Sequence, residues 1–197
     1  NINELHSVGF HILADVANPL LGEVGTANVF APQKGASPRE IKVLEKGLQN
    51  FASVVYQQTG KDQSKEKFFG AAGGTPAGLS AFLNTSCSFG AEVLFEMNGL
   101  DSLLSKVDLV ITGEGSLDEQ SLQGKAPFML AEICKQAGKK IIFIGGKIPG
   151  KRNRKINALF NGVCSIAPGP VTLDESIRNA SQWLENKSYQ LIRFSGI

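Results

Sequence analysis

Val107-Asp108-Leu109-Val110-Ile111-Thr112-Gly113-Glu114-Gly115-Ser116-Leu117-Asp118-Glu119-Gln120-Ser121-Leu122-Gln123-Gly124-Lys125 is the stretch on which the fold turns. It opens as an apolar run of strand length and continues as a segment rich in glycine and carboxylates that closes on a lysine. A helical pattern begins near Pro127. The spacing predicts a strand over 107–112 that opens into a loop at its carboxyl end, where parallel α/β sheets bind their ligands. Downstream, residues 127–137 predict a helix with Leu130, Ala131, Cys134 and Ala137 on one side, and Gly138 as its left-handed cap. Strands are expected over 140–145 and 162–166, the latter ended by Pro168-Gly169-Pro170. Thr172-Leu173-Asp174-Glu175 has the form of a capping box before a last helix carrying Ile177, Ala180, Leu184 and Leu191. This alternation places the chain in the α/β class, a parallel sheet covered by helices.

Upstream, residues 12–16 read as a short strand with Asp15 and Asn18 at its carboxyl end, before Pro19. Residues 28–31 read as a second short strand. Ser37-Pro38-Arg39-Glu40 is a capping box with proline at the first helical position. Ile41, Leu44, Leu48, Phe51 and Val55 then recur at helical spacing. The polar residues 57–67 read as a mobile loop. Gly70-Ala71-Ala72-Gly73-Gly74-Thr75-Pro76-Ala77-Gly78 is a glycine-rich loop running into a helix, with Thr75 as the expected cap. A further helix is expected over 91–98, stopped by Gly99, with Asp101 capping a turn through Leu104. A domain boundary falls near residue 105, dividing the chain into 1–105 and 106–197; no internal repeat is present.

The 197 residues are 42% hydrophobic and 19% charged, which suits one large domain or two small ones with a buried core. The net charge of +2 lacks the basic excess of a nucleic-acid binder. No apolar run reaches membrane-spanning length, and no basic-plus-apolar leader opens the chain. Cys87, Cys134 and Cys164 have no metal-ligand spacing; three unframed cysteines suit a reducing cytoplasm. His6 and His11, near the start, read as structural or exposed, and the basic run Lys147, Lys151, Arg152, Arg154, Lys155 reads as a solvated loop, the lesser alternative being a nucleotide-phosphate contact.

Four segments in order carry a family resemblance. They are Asp15-Val16-Ala17-Asn18-Pro19-Leu20-Leu21-Gly22, Val29-Phe30-Ala31-Pro32-Gln33-Lys34-Gly35-Ala36, Gly70-Ala71-Ala72-Gly73-Gly74, and Thr112 through Lys125. Together they resemble the type-1 glycerate kinases of bacteria, from about Asp15 to the end of the chain. The resemblance implies ATP-dependent phosphorylation of D-glycerate, with 2-phosphoglycerate the usual product of the subgroup. It also implies Mg²⁺, and two α/β domains with the site in the cleft between them. One domain is flavodoxin-like and built from both ends of the chain; the other is inserted and has a mixed sheet. Family members run to roughly twice this length. The chain is therefore expected to be a fragment lacking the N-terminal half, with 1–105 the later part of the inserted domain and 106–197 the C-terminal part of the flavodoxin-like one. A sheet edge left open by the missing half would invite homo-oligomerisation.

Phosphoryl transfer needs offset phosphate charge, a metal and an oriented hydroxyl. Glu114 and Asp118 are candidates to hold Mg²⁺ through water or to accept the hydroxyl proton; the alternative has Asp118 capping a turn and Glu114 in water. Lys125 is a candidate partner for phosphate or for the glycerate carboxylate, or else a solvated lysine. Gln120 is a further hydrogen-bonding candidate, and Gly113, Gly115 and Gly124 allow close backbone approach. Asp15 is a candidate base or metal partner, or the start of an Asx turn with Pro19; Asn18 lies beside it. Gln33 and Lys34 are candidates to meet an anion, or else Lys34 faces water. Gly70, Gly73 and Gly74 either cradle an anion or permit tight helix packing; no Walker A ending follows them. The rival reading of the whole is a non-catalytic α/β ligand-binding or interaction domain.

Overall fold

The computed structural model describes residues 2–117, 125–151 and 153–195. They fall into two compact units, Asn1–Met97 and Asn98–Ile197. Both are α/β, and every described strand pairing is parallel.

The first unit begins with a helical turn, α1 (Ile2–Leu5), and β1 (Gly9–Ala14). β1 pairs with β2 (Asn84–Phe89), in register from Gly9↔Asn84 to Ala14↔Phe89. Between them run α2 (Thr26–Phe30), a 3₁₀ turn (Pro32–Lys34), α3 (Pro38–Thr59), a second 3₁₀ turn (Ala71–Gly73) and α4 (Thr75–Phe82); α5 (Gly90–Met97) comes after β2. α3 forms where its local signals put it. The Ser37 hydroxyl accepts from Glu40 N–H, the Glu40 carboxylate accepts from Ser37 N–H at 2.8 Å, and Gly60 closes the helix at φ 72°. One side of α3 buries Ala52, with Leu48 and Phe51, against Leu20 and Ala77. Leu20 is fully buried. Burial of a leucine side chain stabilises by about 1.5–3 kcal/mol, so this contact is a main tie between α3 and the loop after β1. Ala14, Phe68 and Ala71 form a second cluster, joined by Cys87 and Phe89 from β2; the Phe68 and Phe89 rings meet edge to face at 5.0 Å.

Three local expectations give way here, and one element is new. Residues 28–31 are the last turn of helix α2 and its C-cap, not a strand, because Val29 N–H and Ala31 N–H bond back to Gly25 and Ala27 at 3.0 and 3.2 Å. Residues 57–59 are the last turn of α3, while 60–67 are loop, where Gln63 is buried and Lys61 Nζ donates to Ser80 O at 3.0 Å. The cap of α4 is Gly74; the Thr75 hydroxyl donates to Ala72 O at 2.9 Å. β2 is an element that the pattern of residues did not announce.

The second unit runs α6 (Leu100–Leu104), β3 (Leu109–Ser116), α7 (Ala126–Gln136), β4 (Lys140–Lys147), α8 (Arg154–Leu159), β5 (Gly162–Ser165) and α9 (Leu173–Ser195). The sheet order is β3-β4-β5, so β4 is central. Leu109 pairs with Lys140 and Ser116 with Lys147; Ile142 pairs with Gly162 and Gly145 with Ser165. The core lies on one face of the sheet: Ile141 and Phe143 of β4 against Phe128, Ala131 and Cys134 of α7, with Ile156 and Phe160. Phe160 takes both Phe128 and Phe143 edge to face, at 5.3 and 5.6 Å. Gly138 caps α7 at φ 67°, where Lys139 N–H returns to Cys134 O at 2.8 Å. The basic run is split rather than looped, because Asn153 Oδ1 accepts from Lys155 and Ile156 N–H and starts α8. β3 passes the expected end at Thr112 and continues through Ser116. No helix among the described residues is long and apolar enough to cross a membrane.

Candidate functional site

In the first unit the candidate residues gather at the carboxyl end of β1. Asp15 is exposed just past that strand; a Cβ added at Gly90, where α5 begins, would lie 3.7 Å from Asp15 Oδ1. Asn18 spends its side chain on the loop itself, Nδ2 donating to Val24 O at 2.8 Å. Its carbonyl accepts from Gly70 N–H at 2.8 Å, and Thr26 Oγ1 donates to Gly70 O at 3.1 Å. The loop after β1 and the glycine loop are thus tied together. They are also in close contact: a Cβ at Gly70 would sit 2.2 Å from Pro19 O. Beyond Gly70 the backbone turns left-handed at Ala72 (φ 47°, ψ 41°), Gly73 (φ 74°) and Gly74 (φ 97°). Ala72 holds this conformation with a Cβ, at a cost of about 1–2 kcal/mol, and such backbone concentrates at functional sites. α2 packs against this turn. Gln33 and Lys34 are exposed on the 3₁₀ turn after α2.

In the second unit Gly113, Glu114 and Gly115 are strand residues at the carboxyl end of β3. Gly113 serves strand packing: a Cβ there would meet Ile144 O at 2.4 Å. At Gly115 the space is open, with nothing within 4 Å. Lys125 occupies the N-cap position of α7, and its Nζ lies 2.5 Å from Glu114 Oε1. A cation at a helix N-terminus opposes the helix dipole, and Glu114 offsets it. The other carboxylate oxygen, Glu114 Oε2, is buried without a hydrogen-bond partner among the described residues, which is costly unless a donor or cation completes it. Glu114 lines a cavity of about 1320 Å³ at the strand ends, together with Ser116, Lys147, Ser165 and Thr172. Asp118, Gln120 and Gly124 lie outside the described residues.

Lys147 ends strand β4 and is not part of a loop. The signal that points to it is Ile144-Gly145-Gly146-Lys147, an apolar strand ending in glycines and a cation. His11 is structural, its Nε2 lying 2.9 Å from Ser88 Oγ across the β1–β2 pair. Among the described residues no group of three or more His, Cys, Asp and Glu gathers as a metal cluster.

A model of the Glycerate kinase family matches residues 2–195. The glycerate kinase of Halalkalibacterium halodurans is 35% identical over 181 residues, 92% of this chain and 48% of that protein. The glycerate 2-kinase of Escherichia coli K12 is 36% identical over 173 residues, 86% of this chain and 44% of that protein. A crystal structure described as glycerate kinase 2 from Salmonella typhimurium LT2 superposes with a TM-score of 0.64 at 32% identity, covering 99% of this chain and 51% of that one. The chain spans about half the length of the curated relatives it matches.

Proposed function

This chain belongs to the glycerate kinase family, and on that premise we propose that the whole protein transfers the γ-phosphoryl group of ATP to D-glycerate, giving 2-phosphoglycerate. The observation that carries this reading is the Glu114–Lys125 pair at the carboxyl end of a parallel sheet, with Glu114 Oε2 unpartnered among the described residues. The name of the Escherichia coli relative, a glycerate 2-kinase, supports the position of transfer. In the proposed step a glycerate hydroxyl oxygen attacks the γ-phosphorus in line. The bond from that phosphorus to the β,γ-bridging oxygen breaks, and the hydroxyl proton passes to Asp15, Glu114 or Asp118. Lys125, Lys34 and the backbone of the glycine loop offset negative charge, while Gln33 and Gln120 orient the ligands and Asn18 holds the loop after β1.

A single unsatisfied carboxylate oxygen suits Mg²⁺, which keeps several waters and binds through one or two carboxylates plus phosphate. Glu114, with Asp118, would hold the ion, whose chemistry is to neutralise phosphate charge. The second unit is read as part of a flavodoxin-like domain completed by a preceding half, in a cytoplasmic enzyme. Without that half the chain falls under the rival reading, a ligand-binding or self-associating α/β module. The open outer side of β3, an edge strand with Ile111 exposed, favours self-association.

ADP release with D-glycerate tests the proposal. The whole protein is expected to turn over, and residues 1–197 alone to be nearly inactive. Glu114→Gln in the whole protein should lower turnover at least tenfold, about 1.4 kcal/mol of barrier. Turnover unchanged by Glu114→Gln would remove Glu114 from the chemistry, and full activity from residues 1–197 would refute the need for a second half.

A further inference from the structure

We propose that Lys147 binds the phosphate chain of the nucleotide, an inference that rests on the kinase reading above. Lys147 is the last residue of the central strand, at the sheet's carboxyl end, where ligands bind in parallel α/β sheets. Its main chain is fixed: it pairs with Ser116, and its carbonyl accepts from Leu117 N–H at 2.8 Å. The neighbouring Gly146 carbonyl accepts from Ser165 Oγ at 3.0 Å. A flexible lysine is therefore launched from a rigid base.

Charge distinguishes it from the other groups of the cavity. Glu114 and Lys147 are the charged side chains among the described residues that line it. Glu114 is already paired with Lys125, and Lys147 forms no ion pair among the described residues. Among the described residues that line the cavity, Lys147 is the cation without a carboxylate partner. Of its hydroxyls, Ser165 is committed: Oγ also accepts from Ala167 N–H at 3.1 Å, while Thr172 Oγ1 accepts from Glu175 N–H at 3.2 Å. Lys147 is the cation left for a ligand, and a lysine ammonium is a compact charge suited to phosphate. Gly115, with open space where a side chain would stand, leaves room for an anion to approach.

The test is equilibrium binding by the whole protein of ATP with magnesium, inorganic tripolyphosphate, adenosine and D-glycerate. Lys147→Gln should weaken ATP and tripolyphosphate at least tenfold and leave adenosine and D-glycerate unchanged; Lys147→Arg should stay within threefold of the parent. Binding of ATP and tripolyphosphate by Lys147→Gln equal to the parent's overturns the assignment. So does a loss confined to D-glycerate, which would make Lys147 a carboxylate site instead. If the parent binds neither polyphosphate, the assignment also fails. In each case ADP release by the parent judges the kinase reading separately.

Discussion

Gly70→Ala separates two roles for the glycine loop, packing and ligand contact. The new Cβ would lie 2.2 Å from Pro19 O and 2.9 Å from Asn18 O, against 3.4–4 Å for an ordinary contact. Both obstacles are backbone, so the segment at Asn18 and Pro19 must retreat by roughly an ångström. That movement stretches the 2.8 Å bond from Gly70 N–H to Asn18 O. Overpacking of this kind costs about 1–3 kcal/mol, and a lost hydrogen bond about 1 kcal/mol. The sum is about 2–4 kcal/mol, or roughly 10–25 °C in midpoint for a unit of this size. Thermal unfolding followed by calorimetry measures it, and amide exchange across residues 17–21 locates it. A variant within about 0.5 kcal/mol of the parent, with exchange unchanged, would refute the packing argument. If that variant also bound ATP or D-glycerate poorly, the loop would be a ligand cradle first.

Two further outcomes are expected. Gln63 is 2% exposed and its Oε1 has no hydrogen-bond partner, so Gln63→Met should leave stability unchanged or raise it by about 1 kcal/mol, read from urea unfolding; a clear loss would show that the amide is satisfied in solution. Glu40 is held below the ordinary value of 4.5 by the Ser37 hydroxyl and then the Ser37 N–H. A lowered carboxylate pKa contributes stability that is present above 4.5 and lost as pH falls through the folded value. Ser37→Ala should therefore move the Glu40 carboxyl titration, measured by NMR, up toward 4.5 and shrink the acid-side loss of α3; an unmoved titration would contradict the capping geometry.

What the sequence made legible was local. The start of α3 was readable because Ser37 and Glu40 satisfy each other's backbone within one turn. The cap of α7 was readable because Gly138 takes a conformation that its neighbours would resist. β2 was hidden because only Cys87 and Phe89 of its six residues are apolar, and its partner β1 lies far back in the chain. The strand character of Gly113 to Ser116 was hidden for a related reason. Glycines suggest loop, yet here they let β3 approach β4 closely, as the 2.4 Å separation at Gly113 requires. Asp15 and Glu114 were legible as carboxylates at strand ends. The pairing of Glu114 with Lys125 was not, since a cation at the start of α7 runs against the dipole preference. Nothing in the residue pattern marks the left-handed turn at Ala72.

The all-parallel pairing has a kinetic consequence. Parallel neighbours are never joined by a tight turn, so each pairing waits for a crossover to be made. In the second unit the waits are short: Leu109 needs Lys140, and Ile142 needs Gly162. In the first, Gly9 needs Asn84. Chain closure over that distance slows folding. Of the described pairings, that of β1 with β2 spans the longest stretch of chain and is therefore the slowest to close.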